Sequence, residues 1–205
     1  MEIAPHPLLD AAVVDCTLPG PLGELSSSPA LLSGLSTTYE ASLVTNDEVK
    51  AAVRKLLRHG GFKPSGRNKP ASEYLIKASD NGFLSGINLL VDVCNVVSLH
   101  SGLPISVVDT GRTEGDLAIG IAEGSYVFNA TGQELKLDGL LCVRDGQGWC
   151  ANAVKDSQRT KTHDGTVNAR YVIWGTNALP GRTSEAATWL ATLLRQAGAT
   201  AKRAL

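Results

Sequence analysis

The sequence lacks several features that would assign it to a familiar class of protein. No apolar run approaches the ~20 residues of a membrane span, and the N-terminus has no basic stretch followed by an apolar one. We therefore expect no membrane span, no secretion signal and a cytoplasmic location. The four cysteines form no Cys-x-x-Cys pair and the four histidines are scattered, so we expect no metal site and small, buried thiols.

Length and composition predict a single domain with extensions. At 205 residues and 43% hydrophobic, the chain can bury one sizeable core. The net charge of −1 would argue against nucleic-acid binding if it were spread evenly, but residues 50–69 hold seven of the nineteen basic residues and no Asp or Glu. This basic block is typical of an anion-binding surface. The alternative is a solvated helix face followed by a charged loop.

The linker over residues 60–70, GGFKPSGRNKP, brings glycine and positive charge together. Glycine lets a backbone approach a ligand closely, Lys63 and Arg67 supply charge, and a helix that begins near Pro70 offers its N-terminal amides. The linker is therefore a candidate cradle for a phosphate or carboxylate, and the alternative is a turn with solvated charges. It lacks the GxxxxGK[ST] order of a nucleotide P-loop, and we expect no cofactor.

Residues 85–109, SGINLLVDVCNVVSLHSGLPISVVD, combine a buried helix with a polar stripe and a following strand. Apolar residues surround almost the whole helix, whereas Asn88, Asp92 and Asn95 fall at i, i+4 and i+7 on one face. An unpaired buried polar group costs roughly 1–3 kcal/mol, so these three need partners in the protein, in water or in a ligand. One interpretation is a pocket wall. The other is a stripe that faces solvent or caps neighbouring loops.

A polar loop over residues 155–164, KDSQRTKTHD, follows an aromatic strand. Asp156, Ser157, Arg159 and Thr160 supply a carboxylate, two hydroxyls and a guanidinium within five residues. Such a set can bind a polar small group or position a water. A plain surface hairpin is the alternative.

The overall pattern predicts a mixed α/β (α+β) domain with a mainly antiparallel sheet and flanking helices. Helices are predicted over residues 46–59, from Pro70, over 87–101 and over 183–197, and strands over 11–17, 105–109, 117–122, 125–129, 140–144, 148–153 and 169–174. Residues 19–38 are predicted to form a surface connection. We expect residues 1–45 to belong to the same domain as 46–198, and 199–205 to be a C-terminal tail.

Three segments follow one another in a specific order along the chain. They are KPSGRNKPASEYL, then INLLVDVCNVVSLHSGLP with Asp109 and Glu114-Gly115 after it, then KDSQRTK before Asn168. Together they resemble the B3/B4 domain of the phenylalanyl-tRNA synthetase beta subunit, and most of all the free-standing proteins that consist of this domain alone. The similarity covers roughly residues 50–197, and it implies a B3/B4-like single domain.

The resemblance implies an editing function, because in the synthetase this domain clears tyrosine wrongly esterified to the tRNA for phenylalanine. The chain is then a candidate trans-acting deacylase that binds a mischarged aminoacyl-tRNA and hydrolyses its ester. No synthetase catalytic core can be read in it, so aminoacylation is not implied. One alternative is a non-catalytic module that binds tRNA or an amino acid. The other is a small-molecule enzyme or sensor that uses the same pocket.

The chain differs from the synthetase pattern at several positions that the resemblance places in the site. Ser106 stands where the pattern has a histidine two residues after the Gly-x-Pro proline. If Asn168 is aligned with the asparagine that opens the last strand of the synthetase domain, the glutamate that reads the tyrosine hydroxyl falls at Val172. Asp156-Ser157 replaces a Gly-Gly turn. Tyrosine specificity is therefore not carried over, and the edited amino acid and its tRNA are left open, as is the oligomeric state.

We assign three sets of candidate site residues on this basis. The candidate catalytic residues, as donors to the ester carbonyl or partners of the attacking water, are Asn88, Asn95, Ser106 and Asp156. The candidates for binding the amino acid are Asp92, Ser157, Arg159, Thr160 and Asn168. The candidates for contacting the tRNA backbone, where they would add affinity without reading sequence, are Arg54, Arg58, Lys63, Arg67 and Lys69.

Overall fold

The computed structural model of the protein describes all residues from 1 to 205. Its elements, in chain order, are β1 (Glu2–Ile3), β2 (Leu9–Thr17), α1 (Pro29–Ser33), α2 (Asp47–Arg58), α3 (Ala71–Asp80), α4 (Leu89–Ser101), β3 (Ile105–Asp109), β4 (Ala118–Ile121), β5 (Ser125–Val127), β6 (Glu134–Lys136), β7 (Leu141–Asp145), β8 (Gly148–Asn152), β9 (Asn168–Thr176), α5 (Arg182–Gln196) and β10 (Thr200–Arg203). Short 3-10 turns join several of them.

The main sheet has the strand order β10-β2-β9-β3, and every pair of neighbours is antiparallel. Because side chains alternate along a strand, Ala169, Tyr171 and Ile173 of β9 face a core shared with the helices. Val172 and Trp174 of the same strand face the second sheet. Burial on both faces explains why β9 is apolar along most of its length.

The second sheet has the order β1-β4-β7-β8, in which only the β1-β4 pair is parallel, and β5 and β6 form a separate hairpin. Helix α2 contributes to both cores. Its Val49 and Val53 are buried in the core between the main sheet and the helices, whereas Leu56 and Leu57 are buried with the second sheet. The helix therefore links the two layers of the molecule.

The structure confirms a mixed α/β class with mainly antiparallel sheets and flanking helices. Most predicted helices and strands agree with it to within a few residues, because capping and periodicity are local signals. No helix of the structure is both long and apolar enough to span a membrane.

The differences lie in short or charged elements. Residues 200–203, expected to be part of a tail, form β10, which pairs with β2 and buries Ala201. Two of its four residues, Lys202 and Arg203, are basic, so its sequence does not show the apolar pattern of a strand. Strands β1 and β6 and helix α1, which lies within the predicted surface connection, were not predicted because two to five residues carry too little periodicity. Leu31 and Leu43 are buried in the helical core, which supports our proposal that residues 1–45 belong to the main domain.

Candidate functional site

A cleft lies between α3, α4, β3 and the segment that follows β8. It consists of two chambers that share Cys94, Asn95 and Ile105. The polar chamber has a volume of about 360 Å³, and its other lining residues include Asn88, Val91, Asp156, Lys161 and Thr162. The apolar chamber has a volume of about 470 Å³, and its other lining residues include Arg67, Ala71, Tyr74, Leu75, Val154 and Lys155.

Helix α4 forms the wall that both chambers share. Its start is set by Asn88, whose side chain accepts a hydrogen bond from the Val91 N–H at 3.0 Å, and its end by Gly102, which has the left-handed φ of 69°. Most of the helix is buried, but Val91 and Asn95 remain partly exposed to the cleft. The Asn95 side-chain amide makes no hydrogen bond within the protein. It is therefore free to meet a ligand at the junction of the two chambers.

Asp92 lies outside the cleft, although the i, i+4, i+7 spacing predicts one face for all three polar residues. At 3.6 residues per turn, Asp92 is about 60° round the helix from Asn95. Its buried carboxylate accepts hydrogen bonds from the Ser27 hydroxyl at 2.6 Å and the Ile87 N–H at 2.7 Å. The stripe thus divides into two cleft residues and one carboxylate that anchors neighbouring loops.

Asp156 is the only acidic residue among those that line the two chambers. Its Oδ1 accepts hydrogen bonds from the Ser106 hydroxyl at 2.7 Å and from the Asn152 N–H at 3.1 Å. Burial raises the pKa of Asp156 to about 6, although these hydrogen bonds and the charge of Lys161 act to lower it. This carboxyl group therefore changes its protonation state near pH 6, where an ordinary aspartate is already fully ionised.

Ser106 lies behind Asp156 and is only 1% exposed, so it does not line the cleft as the sequence led us to expect. Its hydroxyl is 2.7 Å from Asp156 and 3.0 Å from the Asn152 carbonyl oxygen, and it accepts a hydrogen bond from the Trp174 indole N–H at 3.0 Å. Because the indole donates to Ser106, the hydroxyl proton is directed towards the two acceptors. Ser106 therefore positions Asp156 and cannot touch a ligand in this geometry.

Two cleft features were not singled out from the sequence. Lys161 lines the polar chamber and donates from Nζ to the Phe128 carbonyl oxygen at 2.6 Å, and burial lowers its pKa while the charge of Asp156 raises it. Tyr126 donates to the Lys155 carbonyl oxygen at 2.6 Å and accepts from the Asn152 amide, which holds the segment after β8 in place. Neither contact can be predicted from the neighbouring sequence, because both join the β5-β6 hairpin to a loop about 30 residues away.

The other predicted residues of the polar loop are turned away from the cleft. Arg159 forms a two-pronged ion pair with Asp145 at 2.7 and 2.8 Å. Ser157 caps the turn that contains Arg159, and the buried Thr160 donates to the Cys150 carbonyl oxygen at 3.1 Å. These three residues fix the loop, and Asp156 alone of the four extends into the cleft.

Asn168 also lies away from the cleft. It opens β9, four residues before Val172, the residue that pairs with Ser106. Its side-chain oxygen accepts a hydrogen bond from Thr17 at 2.8 Å on the exposed surface.

The basic block is only partly available for an anion. Arg54 forms a two-pronged ion pair with Glu73 of α3, with both distances 2.6 Å, so its charge is neutralised. Arg58, Lys63 and Arg67 are exposed and Lys69 is half-buried, and none of the four forms an ion pair. Of these, Arg67 also lines the apolar chamber.

The chemistry that the cleft offers is that of proton transfer and hydrogen bonding. A carboxyl group whose pKa is raised to about 6 shares a chamber with an amide free to donate, a combination suited to orienting a water and stabilising an oxyanion. Nowhere in the chain do three or more His, Cys, Asp or Glu side chains meet in an arrangement that could hold a metal ion.

A family model for the B3/4 domain matches residues 65–185, more than half of the chain. The chain belongs to this family. The matched region begins in the linker that carries Arg67 and ends within α5, so the B3/4 domain contains every residue that lines the two chambers. This confirms the resemblance inferred from the sequence.

Among solved structures, the crystal structure of an N-terminal fragment of the phenylalanyl-tRNA synthetase beta subunit from Pyrococcus horikoshii is similar to this chain. The two share 12% identity, with a TM-score of 0.47. The match covers 55% of this chain and 40% of that one, so it spans less than half of the fragment. No curated protein matches the chain.

Proposed function

We propose that this B3/4 domain protein binds the 3′ end of a mischarged tRNA and hydrolyses the ester between the amino acid and the terminal ribose. The observation that carries the proposal is the pairing of Asp156, whose pKa is raised to about 6, with the free amide of Asn95 in one chamber. The editing activity implied by the resemblance to the synthetase domain supports it.

The reaction needs a water held against the ester and a donor for the oxyanion that forms. Asp156 orients the water and takes its proton as the oxygen attacks the carbonyl carbon. The Asn95 amide donates to the carbonyl oxygen, which becomes negative in the tetrahedral intermediate. When the intermediate breaks down, the ribose oxygen leaves with the proton from Asp156, which yields a free amino acid and an uncharged tRNA.

The exposed members of the basic block are the proposed contacts to the tRNA backbone. Arg58, Lys63, Arg67 and Lys69 lie on α2 and the linker that leads to the cleft. Since such contacts act through charge, they attract any tRNA and leave the choice of substrate to the cleft.

The test is a deacylation assay with a panel of mischarged tRNAs, with spontaneous hydrolysis of each ester measured in parallel. We expect Asp156→Asn and Asn95→Ala each to lower kcat/KM by about 10²-fold, about 2.7 kcal/mol of transition-state stabilisation. The matched control is Asn168→Ala, which removes the same side chain outside the cleft and should retain the wild-type rate. The wild-type rate should rise with pH through about 6 and then level off, because the reactive form of Asp156 is the carboxylate.

Two outcomes would replace this proposal. If the protein binds tRNA but releases amino acid from no member of the panel, it is a non-catalytic binding module. If it binds a free amino acid or another carboxylate but no tRNA, it is a small-molecule enzyme or sensor that uses the same cleft.

A further inference from the structure

We infer that the end of the aminoacyl-tRNA enters the cleft in one direction, with its terminal nucleoside phosphate in the apolar chamber at Arg67 and its amino acid in the polar chamber at Asp156. This inference deepens the proposed function and rests on it. It assigns to the apolar chamber a nucleotide subsite and to Arg67 and Tyr74 the recognition of that nucleotide.

Charge distinguishes the two chambers. The apolar chamber is lined by no carboxylate and by two basic residues, the unpaired Arg67 and Lys155, whose ammonium lies 4.2 Å from the centroid of the Phe128 ring. The polar chamber is lined by Asp156 and Lys161, and the Lys161 ammonium is bound to a backbone carbonyl. A phosphate is therefore attracted to the apolar chamber, whereas the ammonium group of an amino acid is repelled from it and can approach a carboxylate only in the polar chamber.

The walls of the apolar chamber suit a flat base. Two of its hydroxyl groups are satisfied within the protein: that of Ser98 donates to the Leu103 carbonyl at 2.8 Å, and that of Tyr74 to the Gly66 carbonyl at 3.1 Å. What remains for a ligand, besides the Asn95 amide at the junction, is the ring of Tyr74, a residue that is 37% exposed, with aliphatic surface around it. Aromatic and aliphatic walls beside a cation are the elements with which proteins bind single-stranded nucleotides.

Arg67 connects this chamber to the surface that is proposed to bind the tRNA backbone. Its guanidinium makes no hydrogen bond or ion pair in the protein, so it can bind a phosphate without breaking another interaction. It follows Lys63 on the exposed linker, and Lys69 comes two residues later. A nucleic-acid strand that follows these charges therefore reaches the apolar chamber first. Asn95, at the junction of the chambers, would then lie beside the ester.

The size of the two chambers agrees with this direction. The apolar chamber is the larger, at about 470 Å³ against about 360 Å³. A nucleoside is larger than most amino-acid side chains, so the larger space is better matched to the nucleotide.

Binding of uncharged tRNA tests the inference without using hydrolysis. Dissociation constants are measured for one tRNA with a complete 3′ end and for the same tRNA after removal of its terminal nucleotide. We expect the complete tRNA to bind the wild-type protein about tenfold more tightly, because only it supplies the base and phosphate of the subsite. Arg67→Ala and Ala71→Trp, which respectively remove the cation and fill the apolar chamber, should abolish this difference.

Two variants serve as matched controls. Arg58→Ala removes a charge of the same sign outside the cleft, so it should weaken both tRNAs equally and keep the difference. Thr162→Trp introduces the same indole side chain in the polar chamber, which uncharged tRNA leaves empty, and should also keep the difference. Thermal unfolding of each variant verifies its fold, and Arg67→Ala decides the matter if Ala71→Trp does not fold, because Arg67 is exposed and unbonded.

The inference is overturned if the wild-type protein does not distinguish the two tRNAs, or if Thr162→Trp abolishes the difference while Ala71→Trp keeps it, which would reverse the direction. It is also overturned if AMP shifts the NMR signals of Tyr74 and Leu75 while the terminal nucleotide of tRNA contributes nothing, because the subsite then serves a free nucleotide. Deacylation without the expected binding difference would refute the direction alone. The expected difference without deacylation would refute the hydrolysis alone.

Discussion

At the scale of single residues, the site depends on a buried hydroxyl that controls a carboxyl group. Ser106 has no access to the cleft, but it donates to Asp156 and accepts from Trp174. A hydrogen bond to a carboxylate lowers its pKa, so Ser106 keeps that of Asp156 from rising beyond about 6. Ser106 is thus a positioning residue for the proposed base.

We predict that Ser106→Ala raises the pKa of Asp156 above its wild-type value and lowers the free energy of unfolding by about 1–3 kcal/mol. The carboxylate loses a donor, and the buried Trp174 N–H loses its acceptor. The measurements are an NMR titration of the Asp156 carboxyl group and unfolding by urea.

Ser27→Ala is the matched control for this variant. It also removes a hydroxyl that donates to a carboxylate, that of Asp92, which lies outside the cleft. It should destabilise the protein but leave the titration of Asp156 unchanged. An Asp156 pKa that does not move in Ser106→Ala would contradict the assigned role of Ser106.

At the scale of elements, the two faces of α2 have different roles: one packs in the cores and the other carries basic side chains. Asn46 caps it by accepting from the Val49 N–H at 2.9 Å, and its apolar face is buried in both cores. On its outer face, Arg54 is tied to Glu73 of α3, whereas Arg58 remains free. The basic block that appears uniform in the sequence is therefore divided by the packing of α2 against α3.

We predict that Arg58→Ala combined with Lys63→Ala reduces the slope of log K against log salt for tRNA binding by about 2, because each cation that no longer neutralises a phosphate lowers the slope by about one unit. The control is Arg54→Ala combined with Glu73→Ala, which removes an ion pair without changing the net charge and should leave the slope unchanged. Filter binding over a range of salt concentrations measures both. Equal slopes in all three proteins would place the tRNA-binding surface elsewhere.

At the scale of the whole molecule, the cleft lies where the layers meet. Asp156 follows β8 of the second sheet, and its partner Ser106 belongs to β3 of the main sheet. The packing of the two sheets removes part of the water around this carboxyl group, which remains half-buried at the cleft, and the stability of the fold is thereby linked to its ionisation.

We predict that the free energy of unfolding falls as pH rises from about 4 to above 6, by up to about 3 kcal/mol from Asp156. The folded protein holds this proton up to about pH 6, whereas the unfolded chain releases it near 3.8, so the folded state is favoured below that window and loses the advantage through it. Urea unfolding at a series of pH values measures the effect. In Asp156→Asn, this fall in the free energy of unfolding should be absent.

The contribution of Asp156 is the difference between the free energies of unfolding of the wild-type protein and Asp156→Asn, followed over the same pH range. His6, whose pKa is lowered by burial and by the neighbouring His59, has the opposite pH dependence in an overlapping range, but it is present in both proteins. Identical pH profiles for the two proteins would show that Asp156 is not desolvated as described.

Much of the fold could be predicted from the sequence, since the signals for it are short-range. Asn46 and Asn88 cap α2 and α4 through N–H groups three residues away, and Gly102 ends α4 with a backbone conformation that glycine favours. Each of the three segments that indicate the B3/4 domain is likewise a short stretch of sequence. Strand β10 was not predicted, because it forms by pairing with the edge of β2, which lies far away in the chain.

The residues of the site, by contrast, acquire their properties from interactions between distant parts of the chain. The sequence indicated a polar stripe, a basic block and a polar loop, but not that Asp92 turns away, that Glu73 neutralises Arg54 from 19 residues away, or that Asp156 meets Ser106 from 50 residues away. Periodicity places a side chain on a face of its own element and says nothing of what packs there. A pKa depends on desolvation and on neighbours in space, and these exist only once the two sheets and α4 have come together.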